Sequence, residues 1–131
     1  MDVIDVSTHS RTETIDVTRQ VAESVRKSGV REGICTIYVP HTTAAVTINE
    51  GADPAVRSDI INMLSRLVPF EANYSHTEGN SAAHIKSTIV GVSRTVPIKD
   101  GSLTLGTWQS IFFCEFDGPR RRELYVTVLG K

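Results

Sequence analysis

Cysteine, aromatic residues and long apolar runs are all scarce in this sequence of 131 residues. It contains two cysteines, one tryptophan and 6% aromatic residues. Both cysteines lie inside apolar runs, Cys35 in Gly-Ile-Cys-Thr-Ile-Tyr-Val and Cys114 in Ile-Phe-Phe-Cys-Glu-Phe. Cysteine in such a run usually behaves as a small buried hydrophobic residue. We therefore predict that both cysteines are part of the core.

The sequence also lacks an excess of charge of one sign and any segment apolar enough to cross a membrane. Its 14 basic and 15 acidic side chains leave a net charge of −1, which gives no broad field to attract nucleic acid or a membrane surface. No apolar stretch approaches the roughly 20 residues that span a bilayer, and the N-terminal Met-Asp-Val-Ile-Asp-Val has no signal-peptide character. We expect a cytoplasmic protein with neither nucleic acid nor membrane as a partner.

Length and composition suit one globular domain. A content of 40% hydrophobic and 22% charged residues lies in the ordinary range for a folded domain. The chain has no internal repeat, linker or low-complexity tract, so we predict a single domain over residues 1–131.

Runs of alternating or β-branched residues predict a protein rich in strands. Residues 3–17 contain two such runs, which we expect to pair with each other as antiparallel strands. Asp100-Gly101 between two further runs is a strong hairpin signal. The other predicted strands are residues 33–39, 44–48, 92–98, 102–105, 108–116 and 123–129.

Capping and stop signals predict three helices between the strands. The expected start and stop signals, in chain order, are Thr18 and Gly29, Asp53-Pro54 and Pro69, and Asn80 or Ser81 and Gly91. Because residues 88–90 are β-branched, a strand over residues 85–90 is the alternative to the third helix. Strands at both ends with helices between them are typical of an α+β domain whose helices cover a sheet.

Three of the four histidines lie in polar or turn-like sequence. His41 follows a predicted strand, His76 lies in the polar segment 70–79, and His84 lies in the first turns of the third predicted helix. Three imidazoles suit a divalent ion such as zinc and leave a coordination position for water. Their spacing matches no established ligand motif, so ordinary polar or capping roles are the alternative.

Other residues suit a site for a phosphorylated ring. Glu50 ends an apolar strand, where a carboxylate could bind a metal, orient a histidine or act as a general base. Arg120 is the first of three arginines after a Gly-Pro turn. Charges at a turn are usually solvated, but one arginine fork suits the oxygens of a phosphate or pyrophosphate. Trp108 is either a core residue or a wall for a flat heterocycle.

Taken together, the motifs resemble those of the YjbQ family. They run in order from about residue 35 to the C-terminus: His41-Thr-Thr-Ala, Thr47-Ile-Asn-Glu50-Gly-Ala-Asp53-Pro, Asn73-Tyr-Ser-His76, Gly79-Asn80 to Ala83-His84-Ile-Lys86, Leu105-Gly-Thr-Trp-Gln109 and Phe113-Cys-Glu-Phe-Asp117-Gly-Pro-Arg120. Any one motif would be weak evidence, whereas the ordered combination is highly specific.

The resemblance implies an α+β fold, a β-rich sandwich of two sheets covered by two to three helices, that assembles as a homotrimer. It implies a divalent metal, with zinc expected, held by His41, His76 and His84. Family members have been assigned a secondary thiamine-phosphate synthase activity, which joins hydroxymethylpyrimidine diphosphate to thiazole phosphate and releases pyrophosphate. On this interpretation the catalytic residues are Glu50 and Arg120, and the substrate-binding residues are Thr43, Asn49, Asn80, Lys86, Trp108 and Gln109.

Two other functions are compatible with the same residues. Three histidines and a carboxylate also suit a metal-dependent hydrolase of a phosphate ester or amide. A non-catalytic trimeric module that binds a metal is the third hypothesis, since a family fold constrains the reaction less than it constrains the structure.

Overall fold

Eight strands form two antiparallel sheets, and three helices fill or cover the space around them. The computed structural model describes residues 1–131. The strands are β1 (Asp2–Ser7), β2 (Glu13–Asp16), β3 (Gly33–Tyr38), β4 (Ala44–Glu50), β5 (Ser93–Lys99), β6 (Ser102–Leu103), β7 (Gln109–Glu115) and β8 (Arg121–Gly130). The helices are α1 (Thr18–Ser28), α2 (Pro54–Leu67) and α3 (Ser81–Val90).

The two sheets face each other across one hydrophobic core. The larger sheet has the strand order β1-β8-β3-β5-β6, and the smaller has the order β2-β7-β4. Successive side chains of a strand point to opposite faces, so Ile37 and Val126 of the larger sheet meet Val46 and Phe113 of the smaller one inside the core. This arrangement confirms the predicted α+β sandwich of two sheets.

The first two strands do not pair with each other, so this part of the prediction was wrong. β1 pairs with β8 in the larger sheet and β2 pairs with β7 in the smaller one. The segment between β1 and β2 crosses from one sheet to the other beside the segment that joins β7 to β8. Two backbone hydrogen bonds join these segments, from Thr8 N to Arg120 O (3.0 Å) and from Gly118 N to Arg11 O (3.0 Å). Each short strand thus pairs with a longer one, β1 with the ten residues of β8 and β2 with the seven residues of β7.

Most of the local signals act as predicted. Gly29 ends α1 with a left-handed φ of 72°, and Asp53 caps α2 by accepting a hydrogen bond from Ala55 N (2.9 Å). Asp100 and Gly101 both have positive φ, 52° and 79°, as the two central residues of a tight hairpin turn require. Thr18 is an exception, since its hydroxyl accepts a hydrogen bond from Ile111 N (2.8 Å) of β7 rather than capping α1.

The third helix forms as predicted, and the strand alternative for residues 85–90 was wrong. Tertiary packing outweighs the β-branched residues at the end of this segment, because Ala83 packs against Ala45 and Phe116 on the outer face of the smaller sheet. α2 packs beside α3 but has no fully buried residue. α1 instead inserts Val21 and Val25 into the core between the sheets.

The outer face of the larger sheet exposes large apolar side chains. Val3, Ile34, Tyr38 and Leu129 on this face are 49%, 42%, 46% and 61% exposed. None of the three helices is long and apolar enough to cross a membrane.

Both cysteines are buried free thiols, as predicted. Burial raises the pKa of Cys35 to about 11 and the pKa of Cys114 to about 12. We expect neither thiol to react with a disulfide reagent in the native protein at pH 8, because the thiolate is the reactive form. Both should react after denaturation in guanidinium, and a Lys27→Cys variant should add one rapidly reacting thiol at the surface of α1. Rapid labelling of Cys35 or Cys114 in the native state would contradict this packing.

Candidate functional site

A buried ion pair between Glu115 and Arg122 lies beneath the candidate site. Glu115 at the end of β7 is 0% exposed, and Arg122 at the start of β8 is 4% exposed. Arg122 binds both carboxylate oxygens, with Nε 2.9 Å from Oε1 and the terminal nitrogen in contact with Oε2. The Thr8 hydroxyl donates to Oε1 (2.7 Å), and the backbone N–H groups of Phe116 and Asp117 donate to Oε2 (3.1 Å each).

These contacts determine the charge state of Glu115. Burial alone disfavours the carboxylate, but the hydrogen bonds from Arg122, Thr8 and Asp117 and the charge of Arg122 outweigh it. They hold the pKa of Glu115 below its ordinary value. The group is therefore a carboxylate at neutral pH, and it fixes the turn that carries Asp117 and Arg120.

His41 is held near this ion pair by the residue that follows Arg122. It lies in the turn between β3 and β4, and its Nε2 accepts a hydrogen bond from the backbone N–H of Glu123 (2.9 Å). Burial, together with the nearby positive charge of Arg122, lowers the pKa of His41. The neutral ring therefore carries its proton on Nδ1, as this hydrogen bond assigns it.

His84 shares an open cleft with His41. The cleft has a volume of about 730 Å³ and lies between the β3–β4 turn and α3, with Tyr38, Thr42 and Thr88 among its other lining residues. His76 contacts His84 from outside this cleft, with the ring centroids 5.5 Å apart and the rings nearly perpendicular. Two of the predicted ligands thus face one cleft, and the third touches one of them.

The three histidines do not form a closed ligand set within one chain. No group of three histidine, cysteine, aspartate or glutamate side chains is close enough to hold a metal ion. The Nε2 lone pair of His41 is also engaged with the N–H of Glu123. A three-histidine site would need His41 to give up this hydrogen bond, or a ligand from outside the chain.

Arg120 lies near the start of α3, where it shares Asp117 with Asn80. Its guanidinium donates to Asp117 O (3.0 Å) and Asp117 Oδ2 (3.1 Å), and Asn80 Nδ2 donates to the same Oδ2 (2.9 Å). Asn80 Oδ1 is buried without a hydrogen-bond partner inside the chain. The backbone N–H of His84 reaches back to Asn80 O (3.4 Å), so His84 lies one helical turn from this group.

Two other predicted substrate-binding residues at this end are mostly buried. Lys86 is 5% exposed, forms no ion pair and places its ammonium 5.9 Å from the centre of the Phe116 ring. Burial lowers the pKa of this ammonium. The Thr43 hydroxyl faces inward and accepts a hydrogen bond from Arg122 (2.8 Å), so Thr42 rather than Thr43 lines the cleft.

The remaining predicted residues lie at the opposite end of β4. Ala44 pairs with Glu115 at one end of the strand, and Glu50 pairs with Gln109 at the other. Six residues of extended chain separate the two ends by about 20 Å. We call them the histidine end, with His41, His76, His84, Asn80, Lys86 and Arg120, and the carboxylate end, with Asn49, Glu50, Trp108 and Gln109.

Local hydrogen bonds shape the carboxylate end. Glu50 Oε2 accepts from Asp53 N (2.9 Å), and Asn49 Oδ1 accepts from Glu50 N (2.8 Å). Gln109 Oε1 accepts from Gly106 N (2.8 Å). Trp108 is 64% exposed, so the interpretation of this residue as part of the core was wrong.

The ion pair beneath the histidine end was not predicted from the sequence. We expected the three arginines after the Gly-Pro turn to be solvated, whereas Arg122 is buried against Glu115. A usable signal was present, because Glu115 stands among apolar residues on a strand that is buried on both faces. A charge in such a run requires a buried partner.

The fold and these two ends of β4 define a class of small two-sheet α+β sandwich with a histidine-lined cleft above a buried ion pair. The chain belongs to the YjbQ-like UPF0047 protein family, whose model matches residues 2–131. It is 58% identical over 125 residues to a UPF0047 protein of Methanocaldococcus jannaschii, covering 95% of this chain and 91% of that protein. It is 46% identical over 131 residues to the UPF0047 protein YugU of Bacillus subtilis, covering 99% of both chains.

Solved structures confirm the fold. A YjbQ/UPF0047 family protein from Clostridium acetobutylicum superimposes with a TM-score of 0.97 at 44% identity, covering 98% of this chain and all of that one. A YbjQ-like protein from Sulfolobus solfataricus superimposes with a TM-score of 0.96 at 39% identity, covering 99% and 96%. The predicted family and fold are therefore confirmed.

Removing the buried carboxylate should destabilise the folded protein. We expect Glu115→Gln to lose about 3–5 kcal/mol of stability at pH 7, because Arg122 is left buried without a counter-charge. The folded-state pKa of Glu115 lies below its unfolded value. The stabilisation is therefore complete above the unfolded pKa, about 4.3, and is lost as the pH falls through the folded pKa.

Urea unfolding at several pH values measures this effect. The difference between wild type and Glu115→Gln should be largest near neutral pH and should shrink below about pH 4. Glu23→Gln, which removes an exposed carboxylate paired with Arg26 on α1, is the matched control and should change stability little. A pH-independent loss in Glu115→Gln would show that its charge is not the stabilising feature.

Proposed function

We propose that this protein is a secondary thiamine-phosphate synthase that joins hydroxymethylpyrimidine diphosphate to thiazole phosphate. The observation that carries the proposal is the open cleft lined by His41 and His84, with Arg120 held near the start of the helix that carries His84. No carboxylate other than Asp117 balances the charge of Arg120. Such a guanidinium suits an anionic leaving group.

The chemistry requires stabilisation of pyrophosphate as it departs. The bond between the pyrimidine methylene carbon and the diphosphate oxygen breaks, and both electrons leave with pyrophosphate. The thiazole nitrogen then supplies its lone pair to form the new carbon–nitrogen bond, so no proton has to be transferred. Arg120 is assigned to the developing negative charge, and the N–H groups at the start of α3 support the same role.

Glu50 is assigned to orienting the substrates, because the bond changes above transfer no proton. A single chain cannot supply Glu50 at its own histidine end. The two ends of β4 lie about 20 Å apart. We propose that a homotrimer brings the carboxylate end of one subunit to the histidine end of its neighbour. Asn49, Trp108 and Gln109 would then bind the ring parts of the substrates in a site shared between subunits.

The outer face of the larger sheet supports this assembly. Across three adjacent strands, Tyr38 pairs with Tyr125, which pairs in turn with Val3, and the two tyrosine rings stack 6.3 Å apart. At the other end of the face, Leu129 pairs with Ile34. Side chains of this kind form the apolar centre of a subunit interface, and a monomer would leave them in water.

A divalent metal, with zinc expected, is part of the proposal but not of any step above. His76 and His84 are already in contact, and imidazole nitrogens suit zinc. Since the trio does not close within one chain, the remaining ligand would come from His41 after it releases Glu123, or from a neighbouring subunit. Bound zinc would supply Lewis-acid stabilisation of phosphate oxygens.

Product formation from the two precursors tests the proposed reaction. Purified protein supplied with zinc should form thiamine phosphate, detected by thiochrome fluorescence after oxidation. Arg120→Ala should lower kcat/KM about 100-fold, as expected when one group that stabilises a developing oxyanion is removed, and Glu50→Gln should abolish turnover. Arg26→Ala, which removes an exposed arginine of α1, should retain full activity.

The same samples separate the alternative functions. Elemental analysis should find zinc in the wild type and none in His84→Ala. Absence of product at stoichiometric protein, with zinc present, would reject the synthase. Hydrolysis of a phosphate ester or amide under those conditions would then favour the hydrolase, and zinc binding without any turnover would favour the metal-binding module.

The proposed trimer has its own test. Light scattering after gel filtration should give a mass about three times the 14.4 kDa of the chain. Ile34→Glu should produce a folded monomer, because a charge would then lie within the buried interface. Leu67→Glu, at an exposed apolar position on α2, should stay trimeric. A wild type that is monomeric at micromolar concentration would exclude the shared site.

A further inference from the structure

A largely enclosed cavity lies between α2 and the outer face of the smaller sheet. Its volume is about 180 Å³, and it shares no lining residue with the histidine-lined cleft. Its walls are mostly apolar side chains of α2, α3 and β7, namely Ile60, Ile61, Leu64, Val90, Phe112 and Cys114. A cavity of about 150 Å³ with similar walls holds one benzene molecule. The space therefore fits an apolar group of about six carbon atoms.

Arg57 stands between this cavity and the protein surface. Thr14, Arg57 and Ile61 line both the cavity and an open pocket of about 350 Å³ between β2 and the start of α2. These residues therefore form the wall between the two spaces. Ser58 and Asn62 line only the open pocket. A ligand that enters from this side passes Arg57 on its way into the cavity.

The guanidinium of Arg57 is held in a fixed orientation. Nε donates to Thr14 Oγ1 (3.0 Å), and one terminal nitrogen donates to Thr14 O (2.6 Å). The group also lies 4.6 Å from the centre of the Phe112 ring. These contacts occupy one edge of the planar group and leave the N–H groups of the outer edge, between the two terminal nitrogens, without a partner in the chain. That edge has the geometry that binds both oxygens of a carboxylate.

No acidic side chain neutralises Arg57. The ion pairs of the structure all involve other residues. Asp16 is a neighbour, because its backbone pairs with Phe112, but its Oδ1 accepts a hydrogen bond from the backbone at the start of α1 (2.9 Å). A half-buried cation without a counter-charge favours an anionic ligand, because the ligand replaces the water that burial removes.

The polar end of the cavity lies away from Arg57. Phe112 beneath Arg57 pairs with Thr47, and Glu50 follows Thr47 by three residues, which is about 10 Å of extended chain. Cys114 lies in the opposite direction along β7, in a cluster that packs against Leu64 and Val90. An apolar chain attached to an anion at Arg57 can therefore extend toward this cluster rather than toward Glu50.

These features select one class of ligand. A planar carboxylate fits the free edge of Arg57, and its single charge matches a single guanidinium. A phosphate dianion would instead bring an unbalanced charge next to Asp16. The apolar walls disfavour a polar tail, because its hydrogen bonds with water would be lost without replacement. The matching molecule is a monocarboxylic acid with an apolar chain of about six carbons.

We propose that the cavity beneath α2 binds a small monocarboxylic acid, with the carboxylate on Arg57 and the apolar chain against Phe112, Leu64 and Val90. Thr14 is the positioning residue that fixes the guanidinium. The inference goes beyond the proposed reaction and does not depend on it, because the cavity and the histidine-lined cleft are lined by different residues.

Affinity along a series of straight-chain acids tests the size of the apolar site. Butanoate, hexanoate and decanoate are titrated calorimetrically into the full-length protein. Each added methylene should tighten binding about fourfold while the cavity fills, so hexanoate should bind about 15-fold more tightly than butanoate. Decanoate should bind no more tightly than hexanoate, because the cavity cannot enclose its longer chain. A continued increase up to decanoate would indicate adsorption on an exposed apolar surface and would overturn the assignment.

Substitution of Arg57 tests the carboxylate contact. Hexan-1-ol, which has the same chain without the charge, should bind at least about tenfold more weakly than hexanoate, as expected for loss of hydrogen bonds between charged groups. Arg57→Gln should lower hexanoate affinity to that of hexan-1-ol and leave hexan-1-ol binding unchanged. Arg66→Gln, which replaces an exposed arginine of the same helix, is the matched control and should bind hexanoate as the wild type does. Equal weakening of both ligands in a folded Arg57→Gln variant would reject the carboxylate contact.

The wild type decides the location of the ligand even if Arg57→Gln fails to fold. Nuclear Overhauser effects should connect the terminal methyl group of hexanoate to Leu64, Val90 and Phe112. Leu64→Phe, which fills the cavity, should abolish binding, whereas Leu67→Phe, at an exposed position of the same helix, should leave it unchanged. Methyl contacts only with the outer face of the larger sheet, or no saturable binding at millimolar hexanoate, would overturn the proposal.

Discussion

The ion pair between Glu115 and Arg122 is the interaction on which the histidine end depends. Burying two charges costs several kcal/mol for each ion, and one ion–ion contact rarely offsets that cost. Here the carboxylate also accepts hydrogen bonds from Thr8 and from the backbone of residues 116 and 117. The guanidinium in turn donates to Thr43. The pair therefore links the end of β1, the β3–β4 turn and the adjoining ends of β7 and β8, where the two sheets meet.

This link explains how short, irregular segments hold functional groups in fixed positions. The β3–β4 turn carries His41, and the turn after β7 carries Asp117 and Arg120. Neither turn is hydrogen-bonded as part of a β-sheet. Both are fixed by contacts to the ion pair or to β8, the strand that bears Arg122. A buried network of this kind specifies one arrangement, because any other leaves a charge without its partner.

Local sequence signals predicted the helices and most of the strands well, because their causes are local. Gly29, Asp53-Pro54 and Asp100-Gly101 each impose a backbone geometry that neighbouring residues alone determine. The pairing of β1 with β8 joins residues more than 110 positions apart. No local pattern contains that information, so the prediction chose the nearer partner.

The candidate site was predicted as a list of residues but not as an arrangement. The motifs contained the residues at both ends of β4, yet only the register of β4 with β7 shows that Glu50 and His41 lie at opposite ends of one strand. The hydrogen bond from Glu123 N to His41 also has no sequence signature. The residue type predicted that His41 has a free nitrogen lone pair. In the structure, the Nε2 lone pair of His41 instead accepts a hydrogen bond from the backbone of Glu123.

The separation of the two ends places a strong constraint on any mechanism. β4 is hydrogen-bonded to β7 along its whole length and sits in the smaller sheet between the core and the two outer helices. Such a strand cannot bend to bring Glu50 to the histidines, and neither end lies on a long loop that could move about 20 Å. A reaction that uses both ends therefore needs groups from two chains, whereas a reaction at one end alone does not.

The exposed apolar face of the larger sheet supplies a physical reason for chains to associate. In the proposed trimer, association through this apolar face would also complete the catalytic site, because it would bring together the groups that β4 keeps apart within one chain.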